Sequence, residues 1–218
     1  MNNIIHKPQM YIPYNIIYNF LINRCIRLNI DESHAIKHSM DVLKYSQKIL
    51  NDEKTQPNNQ HLNYNEKVIY TSAILHDMCD KKYMDPSQGL NEIKNFLKNT
   101  EYKENDINNI IQIMNTMSYS TVKKNGFPNL GIYQKEYHIV READLLSGYD
   151  VERCMVYGIL NKNQNYKQAF EETKELYEVR MGKFIEDNLF TTRFGLEEAK
   201  KLDAENRKRL NELEELLK

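Results

Sequence analysis

The stretch from Glu66 to Cys79, EKVIYTSAILHDMC, is almost wholly apolar in its middle and closes on a histidine–aspartate pair, His76 and Asp77. It predicts a helix that lies at the centre of the molecule. The surrounding sequence agrees. Strand alternation is nearly absent, and the chain has only 7 glycines and 5 prolines. Apolar residues recur instead at three and four positions, the helical period.

Upstream, YNIIYNFLINRCIRL (residues 14–28) predicts a helix with Ile16, Ile17, Phe20, Leu21, Arg24 and Leu28 on one face. In the next, ESHAIKHSMDVLKYSQKIL (32–50), Asp31 can cap the start and Glu32 sits near the positive end. Residues 51–65 read as a loop. Downstream, GLNEIKNFLKN (89–99) and ENDINNIIQIMNTM (104–117) are amphipathic helices. SYSTVKKNGFPNLGIYQ (118–134) has the glycines and proline of a long loop, a kind often tied to function. Helical patterning resumes in residues 136–161, and two charged helices broken near TTRFG (191–195) end the chain. The expectation is one compact all-α domain over residues 1–218. Its core spans about 14–165, and C-terminal helices from about 166 to 218 pack on it. The stripe Leu196, Ala199, Leu202, Leu210, Leu213 and Leu217 either packs on this core or forms a homodimer contact.

With 218 residues, 40% hydrophobic and 28% charged, the composition is that of a soluble globular protein. A net charge of −1 argues against a nucleic-acid partner. No apolar run approaches the roughly 20 residues that span a bilayer, and MNNIIHKPQMYIPY lacks the layout of a secretory signal. Cys25, Cys79 and Cys154 are odd in number and form no CxxC pair, which fits a reducing, cytoplasmic setting.

Four residues on three predicted helices offer ligands for a divalent cation: His38, the adjacent His76 and Asp77, and Asp144, with His34 one turn before His38. Taken singly each has a plain alternative. A lone buried histidine is ordinarily hydrogen-bonded in a core, and a lone helical aspartate is ordinarily solvated or a cap.

Together, the segments HAIKHSMDVLKYS, AILHDMCDKKY and HIVREADLLSGYD, in that order, resemble the HD-domain metal-dependent phosphohydrolases. SYSTVKKNG and FTTRFGLEEAKKLDAENRKRL extend the likeness to the small stand-alone HD hydrolases, over most of residues 30–210. One position departs from the pattern: Asp41 stands where that branch commonly has arginine. The resemblance implies a helical HD fold in which His38, His76, Asp77 and Asp144 hold one divalent ion. Mn²⁺, Co²⁺, Ni²⁺ or Fe²⁺ suits such a nitrogen–oxygen set, and Mg²⁺ suits it less well. It also implies hydrolysis of a phosphate ester or nucleotide, with a nucleoside triphosphate giving the monophosphate and pyrophosphate. Removal of a monophosphate and cleavage of a cyclic nucleotide belong to the same chemistry. A nucleotide sensor or assembly module that keeps the fold without turnover is the alternative.

The same resemblance gives Asp80, four residues after His76, the role of handling the proton of the attacking water. Its alternative is a helix-end carboxylate paired with Lys81 or Lys82. Lys82, Lys123, Lys124 and Arg141 are candidate phosphate contacts, Lys82 and Lys123 before the others. His34 is either a phosphate donor supporting the site or a helix-surface residue. Arg153 can pair with Asp150 or Glu152, and Tyr119 and Tyr149 can stack on a base.

Overall fold

The computed structural model describes residues 14–31 and 34–218. Glu32 and residues 1–13 of the expected domain lie outside that set. Among the described residues the fold is compact and all-α, with ten α-helices and no strand. The N-terminal half comprises α1 (Tyr14–Leu28), α2 (Ile36–Thr55), α3 (Glu66–Leu75), α4 (Pro86–Lys98) and α5 (Glu104–Thr116). The remainder comprises α6 (Tyr119–Asn125), α7 (Gln134–Ser147), α8 (Val151–Lys162), α9 (Tyr166–Val179) and α10 (Arg193–Leu216).

Helix α3 is the axis. Every residue from Val68 to Leu75 is buried, and α1, α2, α5 and α7 pack around it. Asn65 starts it by accepting from the Val68 N–H, and Glu136 of α7 accepts the Asn65 N–H at 2.8 Å. Helix α10 lies across α2 and α7, while α8 pairs with α9. Ala199, Leu210 and Leu213 of α10 are buried within this chain, so much of the leucine stripe is used in packing. None of the described helices is long and apolar enough to cross a membrane.

Several expected boundaries move. Helix α2 begins at Ile36, so His34 and His38 do not share a helix. Asp31 does not cap it but accepts from the Tyr83 hydroxyl. Helix α2 also runs on to Thr55, into the expected loop. Helix α3 stops at Leu75, and residues 76–79 continue as tight turns closed by Met78 N–H to Leu75 carbonyl and Asp80 N–H to Asp77 carbonyl. The expected loop 118–134 contains α6, started by the Ser118 hydroxyl accepting from the Thr121 N–H. In α1 the buried face is Ile17, Leu21, Arg24 and Cys25, whereas Ile16 is 46% exposed.

The C-terminal segment is anchored by one carboxylate. Glu142 of α7 is fully buried. It accepts from the N–H and hydroxyl of Thr191, both at 2.7 Å, and from the hydroxyl of Thr192 at 2.6 Å. A Cβ at Gly195 would stand 2.2 Å from Glu142 Oε2, so the first turn of α10 approaches this closely only with glycine there. The TTRFG sequence is thus a docking device for α10.

Candidate metal centre

Three helix ends converge on one point. Ser39 of α2 donates to the Ile74 carbonyl at 2.9 Å, which sets the first turn of α2 against the last turn of α3. That places His38 Nε2 and His76 Nε2 3.0 Å apart. Asp77 Oδ2 is 3.3 Å from His38 Nε2 and 3.4 Å from His76 Nε2. Asp144 Oδ1, from α7, is 3.3 and 3.5 Å from the same two nitrogens. His38, His76 and Asp144 form the set whose ligand atoms all lie within 4.8 Å of one another, and Asp77 joins it through the two imidazoles. The histidines are buried, while Asp77 and Asp144 side chains keep 21% and 25% of their exposure.

The hydrogen bonds fix which atoms face the centre. The Ser147 hydroxyl donates to the Asp144 carbonyl at 3.0 Å, so its oxygen accepts from His38 Nδ1–H at 3.2 Å. His76 Nδ1–H donates to the Ala73 carbonyl at 2.9 Å. Both Nε2 atoms therefore face each other and two carboxylates, a meeting of acceptors that a proton on one imidazole or a bound cation would satisfy. Burial alone would lower the His76 pKa, but the Asp77 and Asp144 carboxylates override it and hold it well above the usual histidine value. Burial likewise opposes ionisation of Asp77, yet His76 and His38 keep that carboxyl well below its usual range. Hydrogen bonds from His38 and His76 do the same for Asp144. Metal–ligand bonds of about 2.1 Å would put neighbouring donors about 3.0–3.4 Å apart. The residues therefore fit a divalent ion in donor type, orientation and spacing.

The turn that bears His76 and Asp77 is held from behind. Arg24, buried in α1, donates to the Met78 carbonyl at 3.0 Å and to Met84 Sδ at 2.9 Å, and pairs with Glu92 of α4. Sequence patterning shows Arg24 only as a polar break in an apolar face.

His38, Asp77 and Asp144 of this centre line a cleft of about 510 Å³. His34, Asp80, Lys81 and Lys82 line it, as do Ser118, Tyr119 and Ser120 of the expected functional segment. Arg153, Tyr157 and Lys162 come from α8, and Arg180 and Phe184 follow α9. Asp80 Oδ1 accepts the Lys82 backbone N–H at 2.8 Å, and its Oδ2 is 4.0 Å from the Lys82 ammonium. Asp80 thus both contacts Lys82 and lines the cleft, brought there by a turn rather than a helix face. A second groove of about 660 Å³ runs between α9 and the end of α10, far in sequence from any of the metal-ligand candidates.

Three of the four expected phosphate contacts are elsewhere. Lys123 is outside the cleft lining and bonds Asp187 at 3.0 Å and the Tyr119 hydroxyl at 2.9 Å. Arg141 points into the core. It is 1% exposed, bonds Glu142 at 3.2 Å, and lies over the Phe127 ring at 4.6 Å. Lys124 and Tyr149 do not line the cleft either, and Asp41 pairs with Lys37. The residues that sequence reasoning missed are Ser147, Tyr157, Lys162 and Arg180, along with the cleft position of Arg153. Their spacing carries no signal, because helix packing alone brings them together.

No protein family and no curated protein sequence matches this chain. Solved structures do. A protein of Lactobacillus plantarum superposes with a TM-score of 0.67 at 16% identity, over 93% of this chain and 95% of that one. YpgQ of Bacillus subtilis, determined in complex with ADP, superposes with a TM-score of 0.60 at 18% identity, over 91% and 96% of the two chains. These likenesses establish a shared all-α fold.

Proposed function

We propose that this protein is a metal-dependent phosphohydrolase of the HD-domain type. Its substrate is a nucleotide, and a nucleoside triphosphate yields the monophosphate and pyrophosphate. The observation that carries this reading is the convergence of two imidazoles and two carboxylates beside a cation-lined cleft. A divalent ion held by His38, His76, Asp77 and Asp144 would supply Lewis acidity toward a phosphate oxygen and toward water.

The protein's own groups divide the remaining work. Lys82 is a compact cation and Arg153 a forked one, and both line the cleft where phosphate oxygens need neutralising. Water forms the new P–O bond as the bond to the leaving pyrophosphate breaks, and the Asp80 carboxylate takes the water's proton. Tyr119 and Tyr157, half-buried in the cleft wall, supply the aromatic contacts for a base. The ADP complex of YpgQ supports a nucleotide ligand for a fold of this shape.

The test is metal analysis of the purified protein, coupled to phosphate and pyrophosphate release from a nucleotide panel with Mn²⁺. The expected result is pyrophosphate release that chelator abolishes and that His38→Ala lacks. Tight nucleotide binding without release under every metal would make the protein a sensor instead.

A further inference from the structure

Behind the Lys82 ammonium runs a line of polar side chains whose hydrogens have only one consistent direction. Lys82 Nζ lies 2.9 Å from His34 Nε2, and the Tyr83 hydroxyl lies 3.2 Å from His34 Nδ1. The same hydroxyl donates to the Asp31 carboxylate. An ammonium only donates and an ionised carboxylate only accepts. Tyr83 has one hydrogen, and Asp31 takes it, so the Tyr83 oxygen accepts from His34 Nδ1–H. That leaves a bare Nε2 lone pair for Lys82. Tyr157 closes the other side, with its ring centroid 4.9 Å from Lys82 Nζ and 5.5 Å from the His34 ring.

We infer that His34 is a positioning residue: neutral and protonated on Nδ1, it holds the Lys82 ammonium at the cleft wall instead of donating to a phosphate itself. Burial lowers the His34 pKa to about 4, an effect that Asp77 only partly opposes, so imidazolium is disfavoured there. A lysine held this way is preorganised, whereas a free surface lysine must be ordered by its ligand. The consequence for anion binding rests on the phosphate reading of the cleft, but the hydrogen-bond chain does not.

Two measurements separate these parts. The first is ¹⁵N NMR of the full chain near neutral pH. The expected result is His34 as the neutral Nδ1–H tautomer, with a Lys82 Nζ signal that is visible in the wild type and lost in His34→Ala and Tyr83→Phe. A protonated His34, an Nε2–H tautomer, or a Lys82 signal unmoved by both variants overturns the inference. The second is calorimetric binding of inorganic pyrophosphate. His34→Ala should weaken it about tenfold, and His34→Gln, whose amide oxygen can accept from Lys82, about threefold or less. The double variant His34→Ala with Lys82→Ala should bind no worse than Lys82→Ala alone. Additive losses from His34 and Lys82 would make His34 an independent phosphate contact and overturn the inference. If the wild type binds no pyrophosphate, the phosphate reading fails, and the NMR result alone decides the role of His34.

Discussion

Replacing Glu142 by alanine should cost this protein about 3–5 kcal/mol, the range for removing one partner of a buried charged pair. The magnitude follows from what the carboxylate leaves behind. Thr191 is exposed, so water can replace Glu142 for its N–H and hydroxyl. Thr192 is buried at 7% exposure, and its N–H loses its acceptors at 3.2 and 3.3 Å. Its hydroxyl, equally buried, loses its acceptor at 2.6 Å, and the stranding of these two Thr192 donors accounts for about 1–3 kcal/mol. Arg141, 1% exposed, loses its only carboxylate partner among the described ion pairs, and that supplies the rest. For a chain of 218 residues the total corresponds to a fall in Tm of about 6–20 °C. Thermal and urea unfolding would measure it, and amide exchange would locate it. Protection should fall first across residues 191–200, where α10 docks on α7. A Tm within about 2 °C of wild type, or exchange that rises evenly along the chain, would refute the reasoning. Gly195→Ala, which aims a Cβ at the same carboxylate, should reproduce the local loss in weaker form.

Ser147→Ala should lower metal affinity about 10- to 100-fold in a competition titration, because the His38 Nδ1–H then loses the acceptor that orients the ring. Asp80→Asn should abolish nucleotide turnover while leaving metal content unchanged, and near-normal turnover would remove Asp80 from the chemistry. Stability should fall on acidification. Burial holds His34 and His138 at pKa values of about 4, below the ordinary 6.5, so the unfolded chain takes up protons first. Their contribution is complete above about pH 6.5 and is lost as pH drops toward 4. His138→Gln should flatten that limb in urea titrations across the same range.

The four candidate ligands were legible because their chemistry is local: a histidine–aspartate pair closing an apolar run, and two further ligand types on other helical segments. Lys82 came from the family resemblance of the segment after His76 and Asp77, and the structure places it in the cleft lining. Lys123 and Arg141 were misplaced because residue type cannot tell a cation facing a cleft from one facing Asp187 or buried against Phe127. Arg24 was hidden because a single arginine in an apolar face looks like a defect until its partner, the Met78 carbonyl, is known.

The sequence by itself determined that this chain is helical, that residues 68–75 lie at its centre, and which side chains are candidate ligands for a cation. Period and side-chain chemistry are properties of short segments. Tertiary structure decided that His34 faces Lys82 and is not one turn along a helix from His38. It also decided that Arg153, Lys162 and Arg180 share a wall, and that Glu142 carries the C-terminal helix. Each of these depends on where two segments distant in sequence meet. Packing of their apolar faces sets that meeting, and no local pattern encodes it.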